Sequence, residues 1–88
     1  MEFIKVKTET VETYKSGNGW AFDIITEYDN GAETNYTAWI YHTGYGIKMF
    51  MFGSFMKEFY NRKAAFLELV LDGFDSFADE YKAEYMDE

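Results

Sequence analysis

The chain has 88 residues, of which 48% are hydrophobic and 22% are aromatic, and its formal net charge is −8. A chain of this length forms one small domain, and an aromatic content this high excludes a disordered chain. Sixteen acidic residues against eight basic ones disfavour direct binding to nucleic-acid phosphates. The absence of cysteine excludes disulfides, zinc–thiolate sites and cysteine nucleophiles. We therefore expect a single folded domain over residues 1–88.

The first part of the chain, residues 1–53, has the composition of a β-sheet. Four segments are rich in β-branched and aromatic residues, namely 3–14, 20–28, 33–42 and 47–52. Three sequences typical of turns separate them, namely Ser16-Gly17-Asn18-Gly19, Asp29-Asn30-Gly31-Ala32 and Thr43-Gly44-Tyr45-Gly46. The sequence predicts a four-stranded antiparallel β-meander.

A two-residue loop at Asn30-Gly31 and the loop at residues 43–46 set the predicted register, and with it the side chains that share a face. One predicted face carries Trp20, Phe22, Ile24, Trp39, Tyr41, Phe50 and Phe52. The opposite face is also apolar at its centre and carries Ala21, Asp23, Ile25, Glu27, Tyr36, Ala38, Ile40, Ile47, Met49 and Met51. An apolar face needs a cover. We expect a homodimer surface formed by Ile25, Tyr36, Ile40, Met49 and Met51.

The period of the apolar residues changes at Ser54, and residues 54–88 are predicted to be helical, with Ser54 as the N-terminal cap. Apolar residues recur at steps of three and four, at Met56, Tyr60, Ala64, Leu67, Leu71, Phe74, Ala78, Tyr81 and Tyr85, and Phe59, Phe66, Val70 and Phe77 widen this stripe. A single helix this long would overhang the sheet, so we expect a break or kink at Gly73; one uninterrupted helix is the alternative. The predicted fold is α+β, a meander followed by one long kinked helix or two helices packed on one face.

The negative charge is concentrated at the end of the chain. Residues 64–88 contain eight acids and one base, Lys82. At helical spacing, Asp72, Asp75 and Asp79 share a face, as do Glu80 and Glu84. Such a series of carboxylates either keeps the protein soluble or imitates the phosphate backbone of a nucleic acid.

In size, acidity and single-domain architecture the chain resembles the small acidic phage-encoded inhibitors, the DNA-mimic anti-CRISPR and anti-restriction proteins. No family motif carries the resemblance, so no functional residue is transferred from it. It implies an inhibitor, in the host cytoplasm if phage-encoded, that occupies a basic nucleic-acid-binding surface of a partner protein. We expect the partner to contact Asp72, Asp75, Asp79, Glu80, Glu84, Tyr81 and Tyr85. The alternative is a small structural or homo-oligomerisation domain whose acidity only aids solubility.

Catalytic and metal chemistry is disfavoured, and we expect no enzyme activity, cofactor or metal. His42 is the only histidine, and no serine and acid stand at a spacing that indicates a catalytic triad with it. The acids after Asp72 lack the alternating ligands and central glycine of a calcium loop. A module that binds a ligand through exposed tyrosine and tryptophan is a further alternative.

The longest apolar run, residues 49–56, is too short to span a membrane. The first residues, Met1-Glu2-Phe3-Ile4-Lys5, do not have the pattern of a secretory signal. We expect a cytoplasmic protein that binds neither membranes nor nucleic acid directly.

Overall fold

Five antiparallel strands form one sheet, in which they lie side by side in chain order. The structure is a computed structural model that describes residues 2–7, 10–55 and 63–86. The strands are β1 (Phe3–Lys7), β2 (Val11–Ser16), β3 (Trp20–Asp29), β4 (Ala32–His42) and β5 (Lys48–Phe55). The helix α1 (Lys63–Tyr81) and a π-helical turn (Lys82–Met86) follow them. The α+β prediction is confirmed.

The sheet has one strand more than predicted, because residues 3–14 contain two strands and not one. Strand β1 pairs antiparallel with β2, so that Phe3 lies opposite Ser16 and Lys7 opposite Glu12. The connection includes residues 8 and 9, which lie outside the described residues. The sequence Thr8-Glu9-Thr10 contains none of the Gly, Pro, Asn or Asp residues that mark most turns, and composition therefore carried no signal of this hairpin.

The predicted turn at Asn30-Gly31 is present, with φ angles of 52° and 82° and with Asp29 paired to Ala32. One extra residue in β4 then changes the register of its pairing with β3. Glu27 pairs with Asn35 whereas Tyr28 pairs with Glu33, so Thr34 is an extra residue in β4. A shift of one residue moves every later side chain to the other face of a sheet.

A second bulge lies between β4 and β5. Ala38 pairs with Phe52 whereas Trp39 pairs with Phe50, so Met51 is the extra residue. Together the two bulges make the predicted faces of β4 and of part of β5 wrong. The outer side of the sheet carries Trp39, Tyr41 and Phe50, and the side covered by α1 carries Tyr36, Ala38, Ile40, Met49 and Met51.

The helix differs from the prediction at Ser54, the expected N-terminal cap, and at Gly73, the expected break. Ser54 lies in β5 and is not a helix cap, and the described helix begins at Lys63. Met56, Phe59 and Tyr60 lie outside the described residues. Helix α1 continues through Gly73, so the predicted break is wrong and the alternative of an uninterrupted helix holds over its 19 residues. These residues span about 28 Å at 1.5 Å each, which fits the sheet without an overhang.

The core lies between α1 and the covered face of the sheet. The buried helix residues follow steps of four and three and are Phe66, Val70, Phe74, Ala78 and Tyr81. The Phe74 ring packs edge-on against the rings of Phe3 and Trp20, and Phe66 packs against Phe52. Burying each such side chain contributes roughly 1.5–3 kcal/mol, which holds α1 to the sheet.

Glu12 joins three elements at one end of this core. Its buried carboxylate forms ion pairs with the ammonium groups of Lys5 on β1, at 3.3 Å, and of Lys63 on α1, at 3.7 Å. Two lysines compensate the cost of burying one carboxylate. The described helix therefore begins over the β1–β2 hairpin.

No helix in the described ranges is long and apolar enough to cross a membrane.

Candidate functional site

Four carboxylates form a stripe along the solvent side of α1. Glu68, Asp72, Asp75 and Asp79 are all exposed, and at about 100° per residue they lie within about 60° of one another. We call them the acidic stripe. They project on the side of α1 nearly opposite to its buried residues, so the stripe faces away from the sheet. The buried residues are Phe66, Val70, Phe74, Ala78 and Tyr81.

Counter-charges near the acidic stripe are few. Within the described part of the chain, Lys82 is the one cation within ion-pair distance of it, at 3.9 Å from Asp79. Both of these side chains are more than half exposed, and an exposed pair of this kind contributes little free energy. The stripe therefore presents nearly its full charge to solvent.

The two other predicted acids lie beside the stripe. Glu80 is exposed on a flank of α1, and Glu84 is exposed on the π-helical turn that follows. The structure thus places Asp72, Asp75 and Asp79 on one line and leaves Glu80 and Glu84 next to it. All five predicted carboxylates are accessible to a partner.

The two tyrosines predicted to accompany these acids occupy different environments. Tyr81 is 0% exposed, its ring packs edge-on against Trp20, and its hydroxyl donates a hydrogen bond of 2.6 Å to the Ile47 carbonyl oxygen. It is a core residue, so its prediction as a partner contact is wrong. Tyr85 is partly buried and its ring lies 5.0 Å from that of Tyr81. Tyr85 is therefore only partly accessible beside the acids.

The side of the sheet opposite to α1 forms a second surface, which we call the outer face. Its side chains lie in cross-strand rows that the register defines. The first row holds Ile4, Lys15, Ala21, Tyr41 and Lys48; the second Thr13, Asp23, Trp39 and Phe50; the third Val11, Ile25, Thr37 and Gly53; the fourth Glu27, Asn35 and Phe55. Aromatic side chains concentrate on the β4–β5 half of this face.

A buried carboxylate lies at the centre of the outer face. Asp23 is 4% exposed, and its oxygens accept hydrogen bonds from the hydroxyls of Thr13 at 2.9 Å and Tyr41 at 3.1 Å. The Lys48 ammonium completes the set at 2.8 Å and lies 4.7 Å from the centre of the Tyr41 ring. We call these four residues the Asp23 network. It neutralises the carboxylate and joins strands β2, β3, β4 and β5.

The Asp23 network changes the chemistry of Tyr41. Burial, and next the negative charge of Asp23, raise the pKa of Tyr41 from 10.0 to about 12. The hydroxyl therefore stays protonated, and remains a donor to Asp23, in more alkaline solution than the hydroxyl of an ordinary tyrosine. The network is a structural clamp, because three donors already use the carboxylate oxygens.

The predicted homodimer surface is divided between the two sides of the sheet. Tyr36 and Ile40 are fully buried beneath α1, Met51 is buried, and Met49 packs against the same core. These four residues cannot contact a second copy. Ile25 alone lies on the outer face. The physical reason is the bulge at Thr34, which turns the β4 side chains over.

The remaining candidate for catalytic or metal chemistry, His42, has a structural role. His42 accepts a hydrogen bond at Nδ1 from the Gly44 N–H at 3.1 Å and packs edge-on against Trp20, so it stabilises a turn. No group of three or more His, Asp or Glu side chains within the described ranges is arranged to hold a metal ion.

Sequence reasoning missed the Asp23 network. Thr13 and Asp23 are directly opposite each other in a correct β2–β3 register, but the predicted strand 3–14 offered no such pairing. The prediction also put Tyr41 on the face opposite to Asp23. A charged residue between apolar neighbours in Phe22-Asp23-Ile24 was the available signal, because a carboxylate in a buried strand needs partners.

Comparisons with protein-family models, curated proteins and solved structures found no match to this chain. The assignment of function therefore depends on the two surfaces themselves.

Proposed function

We propose that this chain is a cytoplasmic, non-enzymatic interaction protein, an inhibitor that occupies a basic nucleic-acid-binding surface of a partner protein. The observation that carries the proposal is the acidic stripe, with Glu80 and Glu84 beside it. Its carboxylates are exposed, belong to one helix anchored by a buried face, and have one cation near them among the described residues.

The spacing of the charges supports imitation of a nucleic acid. From Glu68 to Asp79 the helix rises about 16 Å, which gives one carboxylate for every 5 to 6 Å or so along its axis. One strand of DNA carries a phosphate for about every 3.4 Å of axis. The stripe is therefore a sparser line of charge than a DNA strand, and Glu80 and Glu84 increase its density.

The rigid backbone beneath the stripe also favours a binding role. Five residues of α1 are buried against the sheet, so the helix backbone that carries the carboxylates is fixed and little backbone entropy is lost on binding. Like charges at these spacings oppose helix formation by a few tenths of a kcal/mol for each pair. The charges of the stripe therefore lower the stability of the helix that carries them.

The proposal is tested by partner capture followed by a competition assay. The immobilised chain is used to capture proteins from a host lysate, and mass spectrometry identifies them. A purified candidate partner is then titrated with its nucleic acid in the presence of the chain. We expect competitive inhibition that weakens steeply as salt is raised, because charge pairing across an interface is screened.

Two double variants of equal charge provide the control. Asp75→Lys with Asp79→Lys changes the stripe, whereas Glu2→Lys with Asp29→Lys makes the same change of charge at exposed positions away from it. The first variant should weaken inhibition by at least about tenfold, since every 1.4 kcal/mol is tenfold in affinity. The second should inhibit nearly as well as the unchanged chain. Equal inhibition by both variants would exclude the stripe as the binding site.

A second candidate function is a small structural or homo-oligomerisation domain whose acidity only aids solubility. The observation that favours it is the exposed aromatic part of the outer face, which includes Phe50 and Phe55. If capture returns no nucleic-acid-binding protein and the Lys variants differ from the unchanged chain only in solubility, this second function is the correct one.

A further inference from the structure

The outer face of the sheet exposes an apolar patch that nothing in the chain covers among the described residues. Trp39 and Phe50 pack edge-on at 5.2 Å between ring centres. Phe50 is 48% exposed and Phe55 is 64% exposed. The Phe50 ring also lies 3.6 Å from where a Cβ on Gly53 would be, so the ring lies beside this glycine on the outer face. Large exposed apolar patches on a domain mark interaction surfaces.

The area of the outer face is sufficient for a stable interface. Neighbouring strands are about 4.8 Å apart and side-chain rows about 6.6 Å apart, so each outward position covers about 32 Å² of the sheet. The four rows contain sixteen described positions, which corresponds to about 500 Å² on one copy and about 1,000 Å² in both, the smallest area expected of a specific interface.

The distribution of charge over the molecule indicates which kind of partner fits the outer face. On the outer face the Lys48 ammonium and the Asp23 carboxylate neutralise each other at 2.8 Å, which leaves Lys15 in the first row and Glu27 in the fourth row as the remaining described charges, of opposite sign. The acids of α1 are on the opposite side of the sheet. A basic partner is therefore attracted to the helix and not to the outer face, while nucleic acid is repelled by the net charge of −8.

A second copy of the chain meets no such repulsion on this face. Stacked sheets lie about 10 Å apart, and a helix packs about 10 Å behind its sheet, so two helix axes would be about 30 Å from each other. The screening length at physiological salt is about 8 Å. The two negative helices would then hardly interact.

We infer that the outer face is a homodimer interface, in which two copies pack sheet against sheet about a two-fold axis, with Trp39 and Phe50 supplying the aromatic contact of the β4–β5 half. An aligned sandwich of this kind buries the same residues on both copies. The inference is independent of the proposed inhibitor function, because the two surfaces lie on opposite sides of the sheet and the dimer requires no partner protein.

The mass of the unchanged chain in solution tests this inference first. Size-exclusion chromatography with light scattering, over a dilution series up to about 1 mM, a range that reaches weak complexes, should give twice the monomer mass of 10.4 kDa at the upper concentrations. Raised salt should leave the association unchanged or strengthen it, since the contact is apolar. A monomer at every concentration overturns the inference.

Matched lysine substitutions then locate the interface. Phe50→Lys and Leu69→Lys change exposed apolar residues of nearly equal exposure, 48% and 46%, on the outer face and on α1. The dimer dissociation constant should rise at least about tenfold for Phe50→Lys, because the substitution puts a charge into an apolar contact, and should not change for Leu69→Lys. A Phe50→Lys dimer as tight as that of the unchanged chain overturns the inference, as does dissociation by Leu69→Lys.

A further variant distinguishes the outer face from the free edge of β5. Ile25 lies on β3, two strands away from that edge. Ile25→Lys should weaken a sheet-to-sheet dimer as Phe50→Lys does, with circular dichroism showing that both variants are folded. If Phe50→Lys dissociates the dimer and folded Ile25→Lys does not, the copies join through the β5 edge and the inference is wrong.

Discussion

The Tyr81 hydroxyl donates a hydrogen bond of 2.6 Å to the backbone carbonyl oxygen of Ile47, and this contact ties the last turn of α1 to the segment that precedes β5. The same ring is fully buried and packs against Trp20. A tyrosine in this position satisfies a buried hydroxyl and fills the end of the core. It also fixes the end of the helix from which the acidic stripe is presented.

Replacing Tyr81 by phenylalanine removes this hydrogen bond and keeps the ring. We expect Tyr81→Phe to lower the free energy of unfolding by about 1–2 kcal/mol, because the Ile47 carbonyl loses a donor in a partly buried position. Urea denaturation followed by circular dichroism measures the change. Tyr85→Phe is the control and should alter stability by less than about 0.5 kcal/mol, the usual range for a site without such a feature. Equal losses in both variants would contradict the role given to Tyr81.

Gly19 should be the least replaceable glycine of the described turns. Its φ is +94°, and a Cβ there would lie 2.5 Å from Nε2 of His42. Gly31 has a φ of +82° with open space around it, and Gly17 has neither restriction. We expect Gly17→Ala to be nearly neutral, Gly31→Ala to lower the free energy of unfolding by about 1 kcal/mol, and Gly19→Ala to lower it by about 2–3 kcal/mol.

A double variant separates the two contributions at Gly19. In a His42→Ala background the added methyl group meets no ring, so Gly19→Ala should lose only what Gly31→Ala loses. Thermal and urea unfolding of the four combinations give the coupling free energy. If the loss at Gly19 is the same with and without the His42 ring, the close approach has no energetic consequence.

The features of this fold that have a local chemical signal could be predicted from the sequence, and those without one could not. The Asn30-Gly31 turn and the apolar period of α1 are local, and both are present in the structure, although the buried face of the helix is centred on Phe66 and Val70 and leaves Leu71 exposed. The bulges at Thr34 and Met51 have no residue type that marks them, yet each reverses the faces of the rest of its own strand relative to the neighbouring strand. For this reason the solvent side of the helix could be predicted, whereas the homodimer surface and the Asp23 network could not.

The raised pKa of Tyr41 predicts how stability depends on alkaline pH. The pKa is about 12 in the folded chain against an ordinary value of 10.0, first because of burial and then because of the Asp23 charge. The folded state therefore holds this proton more tightly than the unfolded chain. Its stabilising contribution is complete below pH 10 and is lost as the pH rises through about 12. The free energy of unfolding should fall over this range, and less steeply in Tyr41→Phe.

A second measurement isolates the part that Asp23 contributes. Spectrophotometric titration of the tyrosines should show one group ionising at lower pH in Asp23→Asn, because the nearby negative charge is removed while the burial remains. The pKa of Tyr36, raised to about 12 by burial and by Glu33, should keep its value and serves as an internal reference. An unchanged titration curve in Asp23→Asn would show that the carboxylate does not act on the Tyr41 hydroxyl.

The acidic stripe should make α1 less stable than the same helix without it. Asp75 lies three residues from Asp72 and four from Asp79, and all three carboxylates are exposed. Asp75→Asn removes two repulsive pairs and should raise the free energy of unfolding by about 0.5 kcal/mol at low salt. Since the screening length falls to about 3 Å at 1 M salt, the gain should disappear there. Urea denaturation at the two salt concentrations measures it.

Glu2→Gln makes the same change of net charge at an exposed site away from the helix and should have almost no effect on stability. A gain as large as that of Asp75→Asn would indicate a general effect of net charge. If Asp75→Asn alone is more stable and also inhibits the captured partner less, one carboxylate lowers stability and supports binding. That combination is expected of a charge retained for recognition, because solubility requires no particular position.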